Sequence, residues 1–299
     1  MTVAGRHWAL ALTFLPIGCA AVVEFPDDPE LIDQGPWRCL AEPLGRAAPT
    51  RSTAHVQLQA CDSLRGCSLP ISGLSARLCS KLDAGCTSPI STNISYAGGV
   101  FDFDVPTGSA GFDGYLEVSA PSELCTDREV FGEASAALCA LLAQCDPRSP
   151  DARCSLPSYP LALQFFNPPI IEDTVSPRPI YMSSAAASRA IGQAAGADFD
   201  ATKGSLIVTA VDCDGKGAPG IAFAMGGQQR AVGQVFYMQN GVPSVTLQET
   251  DATGFGGFVG MPAGYLDVVA KNSAGTRIGG VGAYVAPAST SFITLAPLP

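Results

Sequence analysis

The sequence predicts an all-β protein of two β-sandwich domains with a small disulfide-rich helical insert between them. Three observations carry that expectation. Residues 98–108, GGVFDFDVPTG, and residues 254–264, GFGGFVGMPAG, place Gly, Pro and Gly at the same offsets, which marks an internal repeat. Short runs rich in β-branched and aromatic residues, such as Leu206-Ile-Val-Thr-Ala-Val and Phe292-Ile-Thr-Leu, are bounded by turn formers. Charged residues make up only 15% of the chain while 32 Gly and 24 Pro mark many turns, a balance that suits an extracellular β protein.

The 299 residues suit about two domains, and a hydrophobic content of 47% is enough to bury real cores. Residues 1–18 read as an export signal. Arg6 precedes an apolar run from Trp8 to Ile17, too short to span a bilayer as a stable helix. The end of that run, Leu15-Pro16-Ile17-Gly18-Cys19, resembles the lipobox of bacterial lipoproteins. Gly18 and Cys19 match the pattern; Pro16 departs from it, because that position is usually aliphatic. The resemblance implies lipid on the Cys19 thiol and cleavage just before it, and Ala20 implies the outer membrane as destination. An ordinary signal cut near Cys19-Ala20-Ala21, giving a secreted or periplasmic protein, is the alternative.

Removing residues 1–18 removes Arg6 and takes the net charge from −10 to −11. Such a chain is repelled by phosphates, which excludes nucleic acid as an expected partner. Residues 19–51 are a tether, with an acidic, proline-bearing stretch from Glu24 to Asp33.

Setting Cys19 aside leaves ten cysteines: Cys39, Cys61, Cys67, Cys79, Cys86, Cys125, Cys139, Cys145, Cys154 and Cys213. No C-x-x-C pair is present and His55 is the single His after the signal, so disulfides rather than metal are expected, with no cofactor. Four of the ten, Cys61 to Cys86, fall in the first sandwich and four, Cys125 to Cys154, in the insert. If each group closes on itself, Cys39 and Cys213 remain for each other, across 174 positions (213 − 39). Pairings between the groups are the alternative.

The repeat extends beyond its core. Tyr115-Leu-Glu-Val and Tyr265-Leu-Asp-Val follow the Pro-x-Gly turn in each copy, after a six-residue insertion in the first. Upstream, His55–Ala60 leads into Cys61 and Leu206–Asp212 into Cys213, and each copy then reaches a Gly and an apolar residue, Gly73-Leu74 and Gly220-Ile221. Residues 52–122 and 203–297 are thus two copies of one fold, the second domain running to 299. Thr250-Asp251-Ala252-Thr253-Gly254 reads as a turn, and in Val-Pro-Thr-Gly and Met-Pro-Ala-Gly the Pro ends pairing before Gly reverses the chain.

The order Gly-apolar strand, Thr-Asp-x-x-Gly-x-x-x-Phe, Pro-x-Gly-Tyr-Leu-x-Val resembles the carboxypeptidase regulatory-like domain. The resemblance implies a Greek-key, transthyretin (prealbumin)-like β-sandwich of the kind repeated in bacterial surface proteins, with no catalytic residue to carry over. It covers about 95 residues in the second copy; in the first, Ser95-Tyr96-Ala97-Gly98 replaces the Thr-Asp turn.

Between the copies, residues 123–157 form the cysteine-rich insert with a helix expected over Glu133–Gln144. Residues 158–202 form a linker, extended across the prolines of Pro157–Pro179, with a short helix over Ser183–Ala195 stopped by Gly196.

Chemistry-bearing patterns are few. Gly215-Lys-Gly217-Ala-Pro-Gly220 matches G-x-G-x-x-G, but Pro219 and a following strand replace the helix that a dinucleotide site needs, so a hairpin turn is expected. Asp212-Cys-Asp214-Gly-Lys resembles the front of a calcium loop without its distal ligands. His55 stands alone at a strand start with no G-x-S-x-G elbow, and Asp102 and Asp104 share one solvated strand face. Asn93-Ile-Ser95 is a glycosylation sequon, of little weight in a bacterial chain. These features point to a non-enzymatic outer-envelope lipoprotein with a structural or binding role, whose partners are the membrane through its lipid and an envelope protein or polysaccharide. An accessory factor of an extracellular peptidase or other secreted enzyme, and an unrecognised hydrolase, are the other readings.

Overall fold

Within residues 52–122, expected to be the first copy, the strands are β1 (Thr53–Asp62), β2 (Gly66–Pro70), β3 (Ser75–Ser80), β4 (Ser91–Ile94), β5 (Val100–Pro106) and β6 (Gly114–Ser119). The middle stretch supplies β7 (Ala162–Phe165), β8 (Arg178–Met182) and a helix, α1 (Ala185–Ala194). The second copy contains β9 (Lys203–Ala210), β10 (Ile221–Met225), β11 (Gln234–Gln239), β12 (Val242–Ser244), β13 (Phe255–Pro262), β14 (Gly264–Asn272), β15 (Arg277–Val285) and β16 (Thr290–Leu295). The structure, a computed structural model, describes residues 37–40, 48–63, 66–71, 74–95, 98–119, 159–197, 200–226 and 233–297. The expected signal peptide, Cys19, most of the tether and the insert with its helix and Cys125, Cys139, Cys145 and Cys154 lie outside these residues.

The sequence pattern forces these strands. In β1, Ala54, Val56, Leu58 and Ala60 are buried while Thr53 and His55 are exposed, the period-two alternation of a half-covered strand. In β5, Phe101, Phe103 and Val105 go inside and Asp104 stays out. Burying each large side chain of this kind contributes about 1.5–3 kcal/mol.

Strand pairing repeats between the copies. β1 pairs antiparallel with β5 as β9 does with β13, and β3 pairs antiparallel with β6 as β10 does with β14. Strands from both stretches share one sheet. A nine-stranded sheet runs β12-β11-β13-β9-β16-β7-β6-β3-β4, so the second layer of the first copy and the first layer of the second copy are one sheet. The join is made by β7, antiparallel to β6 and parallel to β16, which in turn lies parallel to β9.

That central sheet has a core on each face. Ala76, Leu116, Ala162, Ile207 and Phe292 point to one side, against β1, β5, β8 and α1. Tyr115, Leu163, Leu206, Phe258 and Ile293 point to the other, against β10, β14 and β15. Neighbouring residues such as Leu206 and Ile207 serve opposite cores, as the pleat requires. Outside the sheet the copies also touch where the Tyr265 hydroxyl donates to the Lys81 carbonyl at 2.9 Å.

The Pro-rich stretch differs from its expectation as an extended linker. β7 lies within it, and β8 begins there and pairs parallel with β1, Leu58 opposite Arg178. Its prolines flank β7 and Pro179 lies within β8, and the pairing is with distant segments, which no local pattern reports. The helix lies within its expected span. Ser184 caps it by accepting from the Ala187 amide at 3.1 Å, and Gly196 follows at φ 69°.

Candidate functional site: an anchoring clasp and a cavity beside the helix

A short 3-10 turn, Arg38–Leu40, is fastened to the second copy. Cys39 and Cys213 form a disulfide with their Cα atoms 5.8 Å apart, and the Cys39 amide lies 3.1 Å from the Cys213 sulfur. Arg38 pairs with Asp214, and Trp37 and Leu40 pack against the core under β14 and β15. Cys213 sits in a tight turn beyond β9, which ends at Ala210. Asp212 builds the turn: one carboxylate oxygen accepts from the amides of Asp214 and Lys216, each at 2.9 Å. The calcium-like Asp212 and Asp214 are thereby occupied, one in the turn and one with Arg38. Gly215 in the turn stands at φ 74°, and Val211 bridges to Gly217, so the G-x-G-x-x-G stretch is a hairpin turn.

In the first copy Cys61 bonds Cys67 and Cys79 bonds Cys86, with Cα separations of 4.5 and 5.4 Å. The second bond closes a loop ordered by Asp83, whose carboxylate accepts from the amides of Thr87 and Ser88 at 3.0 and 2.8 Å. The Ser88 amide is the main reason its carboxyl sits below the usual range. Beneath this loop Tyr115 is fully buried, and desolvation first, with the Glu117 charge second, pushes its hydroxyl up to about 12. Glu117 is paired with Arg77, which also donates to the Cys86 carbonyl at 3.2 Å.

His55 does not stand alone. The register sets His55 opposite Asp104 and Gln57 opposite Asp102 on the outer face of β1 and β5. The ring lies 3.2 Å from Asp104 and 3.6 Å from Asp102, and Gln57 donates to Asp102 at 2.8 Å. A single sequence could not show this, because it depends on cross-strand register. A nucleophilic triad needs a hydroxyl or thiol bonded to the imidazole, and the described residues place only carboxylates there. It is a solvated ladder of cross-strand polar pairs. In the Asn93 sequon the Ser95 hydroxyl is buried and accepts from the Leu74 amide at 2.9 Å. Among the described residues no group of three or more His, Cys, Asp or Glu side chains is arranged to hold a metal ion, and no helix is long and apolar enough to cross a membrane.

A cavity of about 280 Å³ lies between α1 and the central sheet. Ser188, Arg189, Gly192 and Gln193 of α1 form one wall. The opposite wall is the start of β9, Lys203 to Ser205, with Val259 and Gly260 of β13. β13 bulges there: Phe258 pairs with Leu206 and Met261 with Gly204, leaving an extra residue, and Gly260 takes φ 68°. The turn Ala288-Ser289-Thr290 closes one end, with Ala288 held at φ 51°. At the rim Lys203 lies 3.5 Å from Asp200, whose carboxyl is held below its usual range chiefly by the Thr202 hydroxyl at 2.6 Å. The sequence signalled none of these residues as a group, since helix, bulge and turn come from three distant segments.

No family model matches the chain, so its likeness to the carboxypeptidase regulatory-like domain remains one of motif order, and no curated protein matches it. Among solved structures it is similar to a Streptococcal ancillary pilin, at 13% identity and a TM-score of 0.22, over 82% of this chain and 68% of the pilin. It is similar to a tip fimbrial protein from Porphyromonas gingivalis with C-terminal truncation, at 9% identity and a TM-score of 0.25, over 83% and 96% of the two chains. The third is a CBM26-family module from Eubacterium rectale in complex with maltoheptaose, at 13% identity and a TM-score of 0.21, over 81% and 93%. Likenesses this distant carry no argument about function, which rests on the chain's own residues.

Proposed function

We propose that this chain is a non-enzymatic lipoprotein of the bacterial outer envelope in which two transthyretin-like repeats act as one rigid unit on a lipidated tether. The observation that carries the reading is the nine-stranded sheet shared by both repeats, which joins them through β6, β7, β16 and β9. The Cys39–Cys213 bond extends that rigidity to the N-terminal segment, so the tether leaves from a fixed point on the second copy. Three disulfides among the described residues fit an oxidising compartment, in agreement with an export signal over residues 1–18. Cys19 is the proposed lipid site, and the insert around Cys125–Cys154 is proposed to close on itself with two further bonds. The equivalence of β1, β3, β5 and β6 with β9, β10, β13 and β14 supports reading the copies as related sandwiches.

Detergent phase partition of wild type and Cys19→Ser, with protease shaving of intact cells, tests the reading. The wild type enters the detergent phase and is shaved from cells, and Cys19→Ser moves to the soluble fraction. A wild type that stays soluble overturns the anchoring.

A further inference from the structure

The cavity beside α1 has the make-up of a small-ligand site. Its volume of about 280 Å³ is just below the range of such sites, which run from about 300 Å³ upward, and so suits a small ligand. Pro160, Val259 and Ala288 give it apolar walls. Its polar groups are spread around those walls. The exposed Arg189 guanidinium has no hydrogen bond or ion pair among the described residues, and neither have the hydroxyls of Ser205 and Thr290 or the side-chain amide of Gln193. The one cation already engaged is Lys203, with Asp200.

We propose that this cavity binds a single carboxylated sugar residue, a uronic acid, with the ligand carboxylate on Arg189. The Arg189 guanidinium has no carboxylate partner among the described residues, and its planar fork fits a carboxylate in two parallel hydrogen bonds. Asp200, already engaged by Thr202 and Lys203, adds negative charge at the rim that disfavours a second carboxylate on the ligand. Ser205, Thr290 and Gln193 both donate and accept, as a ring of hydroxyls requires. The apolar walls suit the C–H faces of a sugar ring. A peptide carboxylate meets the first condition but offers one N–H and one C=O per residue, where a uronic acid offers several hydroxyls to Ser205, Thr290 and Gln193.

The test is titration of the full chain, by isothermal calorimetry or ligand-observed NMR, with three probes. These are glucuronate, glucose (the same ring without the carboxylate) and N-acetylglycine (a carboxylate without the ring). Glucuronate binds at least about tenfold more tightly than either of the others. Arg189→Ala weakens glucuronate about tenfold or more, and Arg189→Lys recovers part of that, because charge is kept and the fork is lost. Arg189 is exposed, so circular dichroism of both variants matches the wild type. No binding of glucuronate, equal binding of glucose, N-acetylglycine binding as tightly as glucuronate, or an indifferent Arg189→Ala each overturns the proposal. Those results leave the rigid-unit reading untouched, since it does not depend on a ligand.

Discussion

Cys39 and Cys213, separated by 174 positions, are covalently joined, so the N-terminal segment around Trp37–Leu40 is bolted to the turn beyond β9. Closing so long a loop in the unfolded chain removes conformational entropy equivalent to about 4–5 kcal/mol. The Cys39→Ala/Cys213→Ala variant should therefore lose up to about that amount in urea unfolding, with a larger m-value as its unfolded state expands. A loss under about 1 kcal/mol shows that the clasp contributes little.

Arg77 and Glu117 make a second prediction. The Glu117 side chain is 7% exposed while that of Arg77 is 39% exposed. Arg77→Ala removes the ion pair of a buried carboxylate and should cost up to about 3 kcal/mol, the low end for such breaks because one partner is half in solvent. Adding Glu117→Leu should restore most of the loss, because no charge is left to strand. Chemical denaturation of the single and double variants decides it, and a double variant no more stable than Arg77→Ala contradicts the pairing account.

Tyr115 gives the alkaline limb. Its hydroxyl is raised from 10.0 to about 12, so the folded state holds the proton more tightly than the unfolded state does. The associated stability is complete below pH 10 and is lost as pH rises from 10 toward 12. Tyr115→Phe should flatten that limb in thermal scans between those two values. An unchanged slope contradicts the assignment.

The turns separate conformational strain from collision. Gly108 stands at φ 56° with open space around it, so Gly108→Ala should cost only the left-handed penalty of about 1–2 kcal/mol. Gly254 stands at φ 68° and a Cβ there would overlap the Ala210 carbonyl oxygen. Gly254→Ala should therefore cost clearly more than Gly108→Ala in the same denaturation assay. Equal costs would show that the strand packing around Gly254 yields easily.

What the sequence made legible was local or combinatorial. Strand alternation in β1 and β5, the Thr250–Gly254 turn, the α1 helix with its Gly196 stop, and the Cys39–Cys213 pair left over by clustering could be read from short windows or by counting. The fusion of the copies was not legible. It depends on β7, four residues between prolines, lying beside β16 more than 100 positions away, and parallel pairing of that range leaves no local signature. The cavity was hidden for the same reason, and the His55 ladder needed a cross-strand register that a single chain does not display.

The central claim is that both repeats form one rigid unit through the shared sheet, and native-state hydrogen exchange followed peptide by peptide tests it most directly. If the claim holds, amides in β3 and β6 of the first copy and in β9 and β13 of the second exchange through one global opening, with the same free energy and the same denaturant dependence. If β3 and β6 open at a distinctly lower free energy than β9 and β13, the copies unfold as separate domains and the rigid-unit account is contradicted.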